Sequence, residues 1–88
     1  MLDIKYSLEI NKNGETVNTF TGKGENALAE MVRALNFHIN KKFNDNVYKT
    51  KIASDSVHNE LKVTVTFDNG YTYVYTFSGE DLHKVYTL

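Results

Sequence analysis

The sequence predicts an α+β domain of two layers: a mostly antiparallel five-stranded sheet covered on one face by one long helix. The expected element order is β-β-α-β-β-β-short α. Residues 25–43 form the only long stretch with the apolar spacing of an amphipathic helix. Most of the remaining chain alternates polar and apolar residues, as strands with one buried face do. A helix that buries one stripe and strands that each bury one face pack as two layers.

The chain begins with a predicted hairpin. Five apolar residues alternate with polar ones and define the first strand: Leu2, Ile4, Tyr6, Leu8 and Ile10. Asn13 and Gly14 then predict a tight turn, because glycine accepts a positive φ without steric cost. Residues 15–21 return as an edge strand. A two-residue turn points Val17 inward and Phe20 outward, a three-residue turn reverses them, and a bulge reconciles both.

The long helix is predicted over residues 25–43. One apolar stripe defines its buried face: Leu28, Val32, Leu35, Ile39 and Phe43, with Met31 beside them. Glu25 lies in the first turn and Lys41 and Lys42 in the last, as the helix dipole favours. Asn44 is the predicted left-handed terminator.

Three further strands are predicted over residues 47–54, 60–67 and 71–77. A two-residue turn before Tyr71 places the aromatic residues of the last strand opposite Val63 and Val65. A three-residue turn closed by Gly70 places them on the core face, which buries more apolar area at roughly 25 cal/mol per Å² and is favoured. Ser78 and Asp81 have the spacing of a capping box, which predicts a short helix with Leu82, Val85 and Tyr86 as its apolar stripe.

Composition excludes several classes of function. The 88 residues form one domain, and a net charge of −1 creates no global field for nucleic acid or an anionic membrane. The absence of cysteine excludes disulfides and thiolate sites and fits a cytoplasmic protein. No apolar run approaches the roughly 20 residues that span a bilayer. Lysine outnumbers arginine nine to one, a bias that suits a low-GC bacterium or its phage.

No motif predicts chemistry. The histidines His38, His58 and His83 stand on three different elements without the spacing of a zinc motif. No serine lies in a nucleophile elbow. The sequence therefore predicts no catalytic residue, no metal and no cofactor, and the expected protein is not an enzyme.

The leading hypothesis is a small non-enzymatic intracellular interaction protein, an accessory or inhibitor protein. On a helical wheel Phe37 falls opposite the predicted stripe, beside Glu30 and Arg33. Aromatic residues and arginine are favoured interface anchors, so these three are the predicted contact residues. Tyr71, Tyr73 and Tyr75 are also predicted contact residues and join them if the two-residue turn exposes them. The expected partner is another protein, or a second copy paired through a sheet edge.

The alternative hypothesis is a weak single-stranded nucleic-acid-binding domain. Lys49, Lys51 and Lys62 are expected on the open face of the sheet, with tyrosines nearby. Lysines that hold phosphates and aromatic rings that stack on bases are the usual means of binding single strands.

Overall fold

The computed structural model describes residues 2–40, 42–43 and 46–87 and confirms the two-layer α+β class. The strands are β1 (Lys5–Lys12), β2 (Glu15–Lys23), β3 (Lys42–Phe43), β4 (Asn46–Asp55), β5 (Glu60–Phe67) and β6 (Tyr71–Ser78), and the helices are α1 (Glu25–Asn40) and α2 (Leu82–Val85). Five long strands and the two-residue β3 form an antiparallel sheet in the order β2-β1-β6-β5-β4-β3. Helix α1 contacts all six of these strands, so it crosses one face of the sheet from edge to edge.

The β1–β2 hairpin combines a two-residue turn with a bulge. Asn13 and Gly14 have φ values of 51° and 89°, as the turn geometry that matches strand twist requires. The register shifts between Ile10 and Asn11, which leaves Val17 as the extra residue and sets Phe20 opposite Leu8. The structure confirms that β2 is an edge strand.

The β5–β6 hairpin has the three-residue turn. Val65 faces Tyr73 and Val63 faces Tyr75, and Gly70 has a φ of 93°. This register brings the aromatic residues of β6 to the side of the sheet that α1 covers. The register that buries more apolar area is therefore confirmed, and the register that would expose an aromatic stripe is wrong.

The core lies between α1 and the centre of the sheet. Its buried apolar residues are Ile4, Leu8, Ala27, Met31, Ala34, Tyr48, Leu61, Val63, Val65, Tyr75, Phe77 and Leu82. The sheet supplies the bulky side chains of this layer, and α1 supplies two alanines and one methionine. Small helix residues let the helix backbone approach a face that is already filled by aromatic rings.

Helix α1 is rotated relative to its predicted orientation. Ala27, Met31 and Ala34 are buried, whereas Val32 is 55% exposed and Ile39 is 71% exposed. Val32 and Ile39 were expected in the core, and this part of the prediction is wrong. The reason is steric: the sheet face that α1 covers carries the buried rings of Tyr75 and Phe77, and alanines let the helix come close to it. A row of branched aliphatic side chains there would hold the helix away from the sheet.

The C-terminal end of α1 also differs from its prediction. The helix ends at Asn40, and the backbones of Lys42 and Phe43 pair with those of Val47 and Asn46. These strand pairs take the chain out of the helix, so the prediction that it continues to residue 43 is wrong. The predicted roles of Lys41 and Asn44 fall outside the described residues.

The short helix α2 forms without the predicted capping box. Ser78 is the last residue of β6, and Asp81 occupies the N-cap position without a side-chain cap bond. Its carboxylate instead accepts the Asp3 N–H at 2.8 Å, and the Asp3 carboxylate accepts the Glu80 N–H at 3.2 Å. Hydrogen bonding to Asp3 and then to Lys84 lowers the pKa of Asp81. These bonds tie α2 to the start of β1, where Leu82 is fully buried.

Replacing Gly79 with alanine should destabilise the fold by about 3 kcal/mol. Gly79 has a φ of 139°, and an added Cβ would overlap the Asp3 carbonyl oxygen and lie 3.0 Å from the Ile4 Cα. Urea denaturation measures the loss of free energy of unfolding.

Gly24→Ala is the matched control for Gly79→Ala. Gly24 has a φ of 66° with no atom within 4 Å of an added Cβ. Its substitution should cost only about 1 kcal/mol, the strain of a left-handed residue. Equal losses in the two variants would contradict the described contact between Gly79 and Asp3.

Candidate interaction surfaces

The Phe37 side chain projects from α1 toward the sheet, in contact with aromatic rings of the sheet. Its ring makes edge contacts with Tyr48, Phe67 and Tyr73 at centroid distances of 5.5, 5.9 and 6.5 Å. Edge-to-face pairs of this kind stabilise beyond the area they bury. The predicted position of Phe37 on the outer polar face is therefore wrong, because the rotation of α1 turns this residue toward the sheet. Its role as a partner contact stays a prediction without its geometric basis.

Glu30 and Arg33 lie on the same flank of α1 as Phe37. Their side chains form an ion pair at 3.7 Å, with the Arg33 side chain 69% exposed. Burial raises the pKa of the Tyr75 hydroxyl to about 12. The charges of Glu30 and Arg33 both affect the pKa of Tyr75 as well, Glu30 raising it and Arg33 lowering it. Contact of Glu30 and Arg33 with a partner stays a prediction.

The three tyrosines named as partner contacts do not form an exposed stripe. Tyr75 is 1% exposed, and Tyr73 packs against Phe67 with a centroid distance of 5.0 Å. Tyr71 is half-buried, with the Lys12 ammonium 5.2 Å from its ring centroid. Their burial follows from the three-residue turn of the β5–β6 hairpin, which places all three on the α1 side.

The outer flank of α1 carries an exposed apolar row instead. This α1 stripe consists of Leu28, Val32, Leu35 and Ile39. Leu28 and Leu35 are partly buried against the core, and Val32 and Ile39 are largely exposed. Their spacing of four, three and four residues places them along one line of the helix surface. Ala29 and Asn36, next to the stripe on the solvent side, are exposed and uncharged.

The free side of β2 is a second exposed surface, called the β2 edge here (residues 15–23). Residues 15–21 are all exposed, and residues 16–22 carry no charge. Val17 is 54% exposed and Phe20 is 44% exposed. Lysine side chains on an edge strand commonly prevent its pairing with another chain, and Lys49 and Lys51 lie on β4 in this way. The middle of β2 carries no charged residue.

The face of the sheet opposite α1, the open face, is polar. The register places Lys49 opposite Thr66, Lys51 opposite Thr64 and Lys62 opposite Ala53, so the three exposed lysines share this face as predicted. The tyrosines of β6 lie on the other face. The expected placement of tyrosines beside these lysines is therefore wrong, and nucleic-acid binding by the lysines stays a prediction.

One acid–base pair stands in the β4–β5 loop. The Nδ1 atom of His58 lies 2.7 Å from Oδ2 of Asp55, and both side chains are exposed. The hydrogen bond, followed by the charge of the carboxylate, raises the pKa of His58, and the same bond lowers the pKa of Asp55. Within residues 2–40, 42–43 and 46–87, no group of three or more His, Asp or Glu side chains is arranged to hold a metal ion.

A shallow cleft of about 910 Å³ opens at the start of α1. Its walls include Lys23 and Lys84 as cations and Glu25 and Asp81 as anions, so these charges cancel. Lys84 is already paired with Asp81 at 3.1 Å. The cleft therefore lacks the excess of positive charge that would hold an anionic ligand.

Neither of the two described helices has the length and apolar content needed to cross a membrane.

The α1 stripe is not predicted as a surface, because its apolar spacing is also that of a buried helix face. The sequence does hold a signal. At 100° per residue, the apolar positions from Ala34 through Ala27 and Met31 to Val32 cover roughly 160° of the helix circumference. One buried face needs an arc of only about 100°. The excess width predicts that part of the apolar surface stays exposed, although it leaves open which part.

Comparisons of the chain with protein-family models, with curated proteins and with solved structures find no match. The exposed surfaces described above are therefore the basis on which a function is proposed.

Replacing Phe37 with alanine should lower the free energy of unfolding by about 3 kcal/mol, because it empties the space between α1 and three aromatic rings. Urea denaturation followed by circular dichroism measures the loss. Val32→Ala is the control and should cost less than about 1 kcal/mol, since Val32 is 55% exposed. A Phe37 variant as stable as the Val32 variant would show that Phe37 lies at the surface.

Proposed function

We propose that the protein is a non-enzymatic interaction module that docks a helix of another protein on the α1 stripe. The observation that carries the proposal is the exposure of Val32 and Ile39, 55% and 71%, about two turns apart on one helix flank. Exposed apolar rows on a small domain mark interaction sites, whereas apolar residues scattered singly require no explanation. Here the two exposed residues are seven positions apart and continuous with Leu28 and Leu35.

The spacing of the stripe fits a helical partner. Leu28, Val32, Leu35 and Ile39 follow a heptad pattern, with β-branched Val32 and Ile39 at one position and leucines at the other. This is the arrangement typical of two helices that pack side by side. From Leu28 to Ile39 the stripe runs about 16 Å, or three helical turns. A partner helix with apolar residues at matching spacing therefore has a complementary ridge to pack against.

The charges around the stripe indicate how the partner is recognised. Ala29 and Asn36 are uncharged, and the Glu30–Arg33 ion pair lies on the opposite flank. Glu25, seven residues before Val32, adds a charge at the N-terminal end of this line, whereas the rest of the contact is apolar. Association therefore depends mainly on apolar area, and electrostatic steering contributes little. Binding should therefore depend only weakly on salt concentration.

The non-enzymatic part of the proposal is supported by the exposure of the Asp55–His58 pair. Many catalytic acid–base pairs lie in a cleft that closes over the substrate, whereas this pair is exposed at the end of β4 and in the loop after it. We place the protein in the cytoplasm of a low-GC bacterium or its phage, as an accessory or inhibitor protein. That placement is supported by the lysine bias and the lack of cysteine.

Capture from a lysate of the source organism tests the proposal. The immobilised wild-type chain should retain a protein that Val32→Lys does not retain, because a charge then faces the apolar contact. Val57→Lys is the matched control: Val57 is 83% exposed in the β4–β5 loop, away from α1, and its variant should capture like the wild type.

A second experiment tests whether a helix of the captured protein is the segment that binds. A synthetic peptide of the captured protein's helix should bind the wild type with a Kd at least about tenfold lower than that of Val32→Lys. Affinity should change little when the salt concentration rises to about 0.5 M. Equal capture by wild type and Val32→Lys, or binding lost in salt, would reject the stripe as the docking surface.

A further inference from the structure

The backbone groups of the β2 edge point away from the sheet at alternate residues. Thr19 donates its N–H to the Asn18 side chain at 2.9 Å, so this group does not bond to β1. Because backbone direction alternates along a strand, Thr21 and Lys23 also direct their N–H and C=O groups outward. Residues 19–23 therefore present one face of an unpaired ladder. This segment lies beyond the bulge at Val17, where the strand is regular.

The same segment pairs an exposed aromatic ring with a hollow. Phe20 is 44% exposed, and two residues later the Tyr6 ring lies over Gly22, with its Cε1 2.5 Å from the position of an added Cβ. A hollow of about 430 Å³ opens there, lined by Lys5, Tyr6, Thr21, Gly22 and Lys23. Phe20 pairs with Leu8 and Gly22 pairs with Tyr6, so Phe20 and the Tyr6 ring lie on the same face of the sheet.

We propose that two copies of the chain associate through residues 19–23 of the β2 edge, antiparallel, with a twofold axis at Thr21. In this register Thr21 faces Thr21 of the second copy, and Thr19 faces Lys23. Phe20 of each copy faces Gly22 of the other, where its ring packs against the Tyr6 ring that covers this glycine. The interface uses the same patch twice, as a twofold contact requires. The two sheets become one continuous sheet.

Charge is compatible with a second copy and selects this register. Residues 16–22 are uncharged, so no like charges meet at the centre of the contact. The two Lys23 side chains lie four strand positions apart, about 13 Å. That distance exceeds the Debye length of about 8 Å at physiological salt, so their repulsion is screened. A register centred on Lys23 would bring the two lysines face to face, and one centred on Thr19 would include the bulge.

Forming the contact requires one exchange of hydrogen bonds in each copy. The Thr19 N–H leaves the Asn18 side chain and bonds to the Lys23 carbonyl of the second copy, while the Thr21 groups gain two bonds across the axis. The contact is short, which corresponds to the small end of protein interfaces, so dimerisation should be reversible and dependent on concentration.

Sedimentation velocity tests the proposal with a charge exchange at the axis. The wild type should form dimers as its concentration rises to about 0.5 mM. Thr21→Lys and Thr21→Glu should each raise the dimer Kd at least tenfold, because two like charges meet at the axis. An equimolar mixture of these two variants should restore the dimer, since lysine then faces glutamate.

Two controls separate this contact from others. Thr16→Lys adds the same charge to an exposed residue of β2 outside the paired segment and should leave dimerisation unchanged. Val32→Lys should also dimerise like the wild type, so the failure of the α1 stripe as a docking surface and the failure of the β2 edge are distinguishable. A wild type that stays monomeric, a Thr21→Lys variant that dimerises normally, or a mixture that stays monomeric would overturn the proposal.

Discussion

The packing of α1 on the aromatic face of the sheet is the constraint on which the structure depends. Tyr75 and Phe77 lie with their rings nearly parallel, 7° apart, and fill the layer beneath the helix. A close-packed interior leaves no room there for a second row of large side chains. The helix therefore meets the sheet through Ala27 and Ala34, with Met31 between them. Every other position on α1 follows from that rotation, including the exposed stripe and the aromatic cluster around Phe37.

The fold keeps charged and uncharged surfaces apart. Lysines cover the open face and the β4 side of the sheet. The Glu30–Arg33 pair lies on the flank of α1 opposite the α1 stripe. The α1 stripe and the β2 edge are left without charge in their central residues. Contacts with other chains at such surfaces depend on apolar area and backbone pairing. This is why the two proposals concern a helix partner and a strand partner and neither concerns an anionic ligand.

The strands were predictable from the sequence because alternation and turn chemistry are local. The bounds of β5 agree with the prediction, and the turn at Gly70 followed from comparing the area buried by two registers. The face of α1 was not predictable in the same way. Hydrophobicity favours Val32 and Ile39 over two alanines, and only the bulk of the sheet beneath reverses that preference. The Ser78 capping box failed for a similar reason, since the Asp81 carboxylate bonds to Asp3, 78 residues away in sequence.

Thiol reactivity tests most directly which face of α1 packs on the sheet, because the chain contains no cysteine of its own. Single variants Val32→Cys and Ala34→Cys differ by two positions on the same helix. The account predicts that the thiol at position 32 reacts with a disulfide reagent in the native protein nearly as fast as in the unfolded chain. The thiol at position 34 should react only through unfolding, many-fold more slowly. The opposite order of rates would place the α1 stripe in the core and contradict the account.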